Sequence, residues 1–167
     1  MLRLPKNVQN HPHLAQLEAH FSDSVRPIKP DSAVLVSHWA FDATLRATLK
    51  IVYGTGHLIQ GLELITETLN KEQRGLRAAQ EKAGLPPPQR MSRLMLLSND
   101  GTDRFYKDAE TLLRHHGDRL WACVVDVGAA ELGLAFTPKG NPAKALMIDD
   151  RDALGLFLAS LVSGLAQ

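Results

Sequence analysis

The sequence predicts an α/β protein: a three-layer α/β/α sandwich on a mixed, largely parallel sheet, with a helical arm at the amino terminus. A length of 167 residues, 44% hydrophobic and 22% charged, suits one globular domain with a single proper core. The carboxy-terminal half alternates short apolar runs with helical periods, the pattern of a parallel sheet covered on both faces. The first thirty residues hold four prolines around one helical period, which is typical of an arm.

The arm, residues 1–32, is expected to pack one short helix on the body. Leu14, Leu17 and Phe21 are spaced by three and four residues, so they share one helical face. The apolar run at 33–36 fits either a strand or the start of the next helix, because four residues are too few to distinguish the two. The sequence therefore predicts one domain over 33–167, preceded by the arm.

The first half of this domain reads as helix, strand and helix. Apolar residues at helical spacing predict a helix over 40–53, and the glycines at 54 and 56 end it. Residues 57–60 are too few for a helix and are interpreted as a strand. A new helical face begins at residue 62 and predicts a second helix over 62–72.

Residues 71–93 form the clearly basic segment of the chain and are interpreted as an insertion. Its six cations exceed its two acids, Glu72 and Glu81, by four charges; the cations are Lys71, Arg74, Arg77, Lys82, Arg90 and Arg93. Prolines at 86–88 form a stiff spacer that does not continue a helix, so the segment fits either an exposed connection or a solvated helix face. Since the whole chain has a net charge of only +1, binding to an anionic partner depends on this segment.

The remaining elements follow in regular order. Apolar runs at 94–97, 120–125 and 145–148 are expected to be strands. Helices are expected between and after them, one closed by Gly117, a short one with Gly128 as its N-cap, and a last one capped by Asp150 whose apolar stripe ends at residue 165.

This order of elements resembles the fold of the kink-turn-binding archaeal ribosomal proteins, which is shared by the carboxy-terminal domains of Pelota and the eukaryotic release factor. The segment Gly-His-Leu-Ile-Gln-Gly at 56–61 is similar to the family's glycine, basic residue, two apolar residues and second glycine. The segments at 94–100, 124–133 and 145–150 match its second strand, its third strand with the following helix, and its last strand. The resemblance covers about three-quarters of the chain. It implies a non-catalytic RNA- or ribosome-associated module whose RNA-gripping helix begins at Gly61.

The residues after Gly61 differ from that family. The family has a polar stretch that contacts RNA, whereas this chain has Leu62, Leu64 and Ile65 together with the acids Glu63 and Glu67. Acids at those positions repel phosphate oxygens. The replacement favours an alternative, a protein-interaction or regulatory domain in which Leu62, Leu64 and Ile65 contact a protein.

Catalytic and metal chemistry receive little support from the sequence. The seven histidines and one cysteine show no zinc-ligand spacing, and Cys123 in an apolar strand is interpreted as a buried thiol. No phosphate-binding glycine loop or serine elbow occurs, so neither metal nor cofactor is expected. A third hypothesis, a small α/β enzyme using Asp100, Asp126 or Asp149 at strand ends, would need a pocket that gathers these acids.

The leading hypothesis is therefore RNA or ribosome binding without catalysis. The residues assigned to RNA are Gly61, Arg74, Arg77, Lys82, Arg90 and Arg93. No segment has the length and hydrophobicity of a membrane span or a signal peptide, so a cytoplasmic protein is expected. The sequence leaves the oligomeric state open.

Overall fold

The protein is built on one sheet of six strands. A computed structural model describes residues 3–86, 89–136 and 139–166. The strand order is β1-β2-β5-β4-β6-β3. The strands are β1 Val25–Pro27, β2 Leu35–Ala40, β3 Leu58–Gln60, β4 Arg93–Leu97, β5 Leu120–Asp126 and β6 Ala145–Ile148.

Helices cover both faces of this sheet. The helices are α1 Leu14–Ser22, α2 Ala43–Tyr53, α3 Leu62–Ala83, α4 Asp103–His116, α5 Ala129–Leu134 and α6 Arg151–Leu165, and a short 3₁₀ turn spans Lys6–Val8. Side chains of α3 and α4 pack on one face, while α1, α2, α5 and α6 pack on the other. The predicted α/β/α sandwich is confirmed. Within the described residues, none of the helices combines the length and the apolar character needed to cross a membrane.

The sheet is mixed. Strand β5 pairs in parallel with β2 and β4, whereas β1 pairs antiparallel with β2, and β6 pairs antiparallel with β4 and β3. The strands β2, β3, β4 and β5 therefore share one direction, and β1 and β6 run in the other. The prediction of a mixed sheet is confirmed, but the sheet is less parallel than expected, because three of its five pairings are antiparallel. Because β6 runs antiparallel to β4, the carboxyl end of β6 lies at the opposite end of the sheet from the carboxyl ends of β4 and β5.

Alternation of side chains along each strand divides the core between the two faces. In β4, Leu94 and Leu96 belong to the cluster under α2 and α6, and Met95 and Leu97 belong to the cluster under α3 and α4; all four are fully buried. The central strands have apolar residues at successive positions because both faces are covered, which explains why they were recognisable in the sequence.

The amino-terminal arm adds both a helix and a strand to the body. Leu17 and Phe21 of α1 are fully buried, as predicted, and Phe21 packs edge-on against Trp39 with ring centroids 5.1 Å apart. Strand β1 was not predicted, because three residues that include Pro27 show no strand pattern. The ambiguous run at 33–36 leads into β2, in which Val36 and Trp39 are buried.

Helix α3 is longer than the sequence predicted. It continues from Leu62 to Ala83, twenty-two residues, instead of ending at residue 72. Gly84 follows with a φ of 66°, a left-handed end that glycine adopts without strain. Most of the predicted insertion at 71–93 is therefore the second half of this helix. Pro87 and Pro88, predicted to form a stiff spacer, lie outside the described residues.

Candidate nucleic-acid interface

The second half of α3 is an exposed basic rod. We call residues 71–83 the basic half of α3. The buried side chains of the helix are Ile65 and Leu69, both in its first half. From residue 74 to residue 83 every side chain except Gln80 is exposed. The basic half is therefore accessible over nearly its whole length.

Four cations project from the basic half: Lys71, Arg74, Arg77 and Lys82. A rise of 1.5 Å per residue spreads them over about 16 Å of helix, and a turn of 100° per residue spreads them over roughly 140° of its circumference. Among the described residues, none of the four takes part in an ion pair. The one acid exposed within the basic half is Glu81, so the exposed charge there is four minus one, or +3.

The helix macrodipole explains only part of this charge pattern. Cations are favoured near the carboxy terminus of a helix, but the effect falls off within the last turn. Lys82 lies in that turn. Lys71, Arg74 and Arg77 lie between one and three turns further back, where the macrodipole gives no comparable preference. Lysine and arginine are good helix formers and are mostly exposed in proteins, so a solvated helix face accommodates them there.

A cluster of charged side chains fixes the start of the basic half to the sheet. The Glu72 carboxylate accepts hydrogen bonds from Arg93 at 2.8 and 3.2 Å, and from Arg119 at 2.9 Å. Arg93 belongs to β4, and Arg119 directly precedes β5. The Arg119 side chain is 4% exposed and also donates to the Leu69 carbonyl at 3.1 Å. We call Glu72, Arg93 and Arg119 the clamp.

Electrostatics within the clamp favour the charged form of Glu72. Burial alone would raise the pKa of its carboxyl, but the hydrogen bonds and charges of Arg93 and Arg119 outweigh burial and hold that pKa below its ordinary value of 4.5. The carboxylate therefore stays ionised at neutral pH and bridges both guanidinium groups. The clamp is a structural device that orients the exposed rod beyond it.

Three residues assigned to RNA by the sequence have structural roles instead. Arg93 is committed to the clamp. Arg90 is half-buried and donates to the Leu4 carbonyl at 2.6 Å, which ties the amino-terminal segment to the body. Gly61 adopts a φ of 101° and donates its N–H to the Ala145 carbonyl at 2.9 Å, so this amide is not free to bind phosphate. Arg74, Arg77 and Lys82 remain exposed, and Lys71 joins them.

The predicted protein-contacting residues do not form one patch. Ile65 is fully buried beneath α3, so its assignment to an interaction surface is wrong. Leu62 is half-buried and packs against the same core. Leu64 is 48% exposed, on the outer face of the helix between Glu63 and Ile65. A single exposed leucine is ordinary for a protein surface.

The strand-end acids lie at different edges of the sheet. Asp100 follows β4 and accepts the Ala129 N–H at 3.1 and 3.2 Å, so it caps α5, for which Gly128 offers no side chain. Asp126 at the end of β5 accepts the Asn99 amide at 2.8 Å. Asp149 lies at the opposite edge and contacts His57 at 3.3 Å. The three acids are not gathered, because β6 runs antiparallel to β4.

Comparison with known proteins adds little to this geometry. No family model matches the chain, and no curated protein matches it. A similar solved structure, from Bacillus halodurans, is described as that of a protein with unknown function. It is 17% identical with a TM-score of 0.48, and the match covers 73% of this chain and 99% of that one. This likeness is too distant to support any statement about function. Within the described residues, no three His, Cys, Asp or Glu side chains are placed to hold a metal ion.

A buried histidine connects α4 to the start of the basic half. His116, 2% exposed in the last turn of α4, has its Nε2 atom 3.2 Å from the Oδ1 atom of Asn70. Burial, and next the positive charges of Arg119 and His115, lower the pKa of His116 below its ordinary value of 6.5, against the opposing effects of Asp118 and Glu72. The neutral ring is therefore the form that fits the fold. Burial also lowers the pKa values of His20 and His38.

These shifts predict a loss of stability in mild acid. Because the unfolded chain binds protons to these histidines more readily than the folded protein, the free energy of unfolding falls as pH drops below about 6.5. The lowered pKa of Glu72 adds a further loss, but only below about 4.5. The urea midpoint of unfolding should decrease between about pH 7.5 and pH 5. In the His116→Gln variant the decrease over the same pH range should be smaller. An equal fall in this variant, which keeps a donor for Asn70, would show that His116 is not involved.

Proposed function

We propose that the protein is a non-catalytic RNA-binding module and that the basic half of α3 is its contact surface. The observation that carries the proposal is the exposure of Lys71, Arg74, Arg77 and Lys82 on a rod without an ion-pair partner among the described residues. Contacts from Lys and Arg to phosphates supply most of the affinity in protein–nucleic acid binding. The resemblance to the kink-turn-binding proteins and to the Pelota and release-factor domains is in keeping with this role; a ribosomal partner is included in the proposal.

The contact surface differs from the one the resemblance implies. In that family the RNA-gripping residues follow the glycine at the amino end of the helix. Here the Gly61 amide is occupied, and Glu63 and Glu67 are exposed in the first half of α3. Two carboxylates disfavour the approach of phosphates there. The proposal therefore places RNA at the opposite half of the same helix.

A protein-interaction role is a weaker second candidate for the same chain. It rested on Leu62, Leu64 and Ile65, and only Leu64 among them is well exposed. Leu76 and Leu85 are also exposed, at 37% and 65%, but they lie beside the cations of the basic half. A partner on this surface would have to tolerate the +3 charge, which an RNA does most readily.

Binding of the purified protein to total cellular RNA tests the proposal. Four phosphate contacts predict that log affinity falls linearly with log salt, with a slope between about −2.8 and −3.6. The affinity should then fall about 100-fold between about 50 and 200 mM salt. Failure to bind RNA at about 50 mM salt would contradict the proposal. Binding whose affinity does not change with salt would also contradict it, because the contacts would then not involve phosphates.

A further inference from the structure

The basic half of α3 contains the means to bind phosphates but not the means to read bases. No Phe, Tyr, Trp or His occurs from residue 62 to residue 86, so this helix offers no ring on which an unpaired base could stack. Its amide side chains are restricted as well. Asn70 is bonded to His116, and Gln73 and Gln80 are half-buried. These features disfavour the recognition of single-stranded, splayed bases.

Arg74 and Arg77 could read guanines in principle, since a guanidinium can pair with the edge of a base. An RNA duplex removes that option, because its major groove is deep and narrow and side chains do not reach the base edges in it. What a duplex presents to an exposed helix is its backbone of phosphates and 2′-hydroxyls. On such a target both arginines contact phosphates, as do Lys71 and Lys82.

The arrangement of the cations suits two strands better than one. The four cations are distributed over about 16 Å of helix and roughly 140° of its circumference. A single strand would follow one line along the rod and leave the cations on the other side without a phosphate. The two backbones that border a groove can meet cations on both sides. A duplex also has a higher charge density than a single strand, which increases the counterion release for each contact.

We infer that the basic half of α3 recognises the sugar-phosphate backbone of double-stranded RNA without regard to base sequence or to bends in the stem. This inference rests on the proposed function and specifies its substrate class. The exposed acids Glu63 and Glu67 keep phosphates away from the helix start, so a sharply bent stem gains no additional contact there. Affinity then depends on duplex length and salt alone.

Four RNAs of equal length separate the possible outcomes: two duplexes of unrelated sequence, each about 16 base pairs, a kink-turn stem and a single strand. At about 50 mM salt, both duplexes and the kink-turn should bind within about threefold of one another, and the single strand about tenfold more weakly. A preference of about tenfold for one sequence or for the kink-turn overturns the inference, as does equal or tighter binding of the single strand. Those results leave the proposed function in place, whereas absence of binding to all four RNAs contradicts the proposed function itself.

Discussion

Replacing Glu72 by alanine is expected to destabilise the protein by about 3 kcal/mol, because it leaves two guanidinium groups in the clamp without their shared carboxylate. The larger part of this cost would come from Arg119, because its side chain is 4% exposed and the Arg93 side chain is 15% exposed. Removing one partner of a buried ion pair costs far more than the pair contributes, since the remaining charge stays desolvated. The loss would be a large fraction of the stability of an ordinary domain.

Urea unfolding of Glu72→Ala measures this effect, with Glu67→Ala as the matched control. Glu67 is an exposed glutamate on the same helix, and its replacement should change the free energy of unfolding by less than about 0.5 kcal/mol. Glu72→Gln keeps a hydrogen-bonding oxygen but removes the charge. Its loss in the free energy of unfolding should lie between those of Glu72→Ala and Glu67→Ala. A loss below about 1 kcal/mol for Glu72→Ala would mean that the clamp does not hold α3 to the sheet.

Replacing Lys71, Arg74, Arg77 and Lys82 together by glutamine is expected to weaken RNA binding by about 100-fold or more at low salt. The substitutions remove the four phosphate contacts but leave the helix intact, because glutamine has a helix propensity close to those of lysine and arginine. None of the four residues is buried or paired within the described chain. Stability should therefore remain unchanged while affinity is lost.

The chain offers a charge-matched control for this variant. Lys6, Lys50, Lys139 and Arg151 are also exposed and lie outside α3. We call the protein with all four α3 cations replaced by glutamine the α3 variant. Replacing the four control residues by glutamine changes the net charge from +1 to −3, and so do the substitutions of the α3 variant, since each set removes four positive charges. The control should bind RNA within about threefold of the unaltered protein, apart from a general field effect that salt screens. Equal losses in both variants would show that net charge, and not the basic half of α3, determines binding.

The elements of the core could be read from the sequence because their signals are local. Apolar runs identified β4, β5 and β6, and Asp150 caps α6 as expected, accepting the Ala153 N–H at 3.0 Å. The direction of β6 was not encoded in this way. A strand buried on both faces shows the same apolar run whether it pairs parallel or antiparallel. The sequence therefore could not show that Asp149 and Asp126, both at carboxyl ends of strands, lie at opposite ends of the sheet.

The length of α3 was missed because its second half has almost no apolar stripe. After Leu69 only Leu76 keeps the spacing of the apolar residues, and it is exposed. The interpretation as an insertion followed from the charges and prolines. A signal was nevertheless present: residues 70–83 are rich in strong helix formers, and Gly84 stands where a helix commonly ends. That helix-forming stretch could have extended the prediction to residue 83.

The candidate site was only partly predictable for a different reason. Exposed cations such as Arg74 and Arg77 were identified from local charge alone. The clamp joins Glu72 to Arg93, 21 residues later in the sequence, and to Arg119, 47 residues later. Such pairing depends on which strand lies beneath α3, so the sequence could not separate Arg93, a clamp residue, from the cations that stay exposed.

The slope of RNA affinity against salt, compared between the unaltered protein, the α3 variant and the charge-matched control, tests the central claim most directly. If the basic half of α3 contacts phosphates, the slope of the α3 variant should be nearer zero by about one unit for each contact removed, three to four in all. The control should retain the slope of the unaltered protein. An α3 variant that binds with an unchanged slope would contradict the claim and would place the RNA contacts elsewhere on the protein.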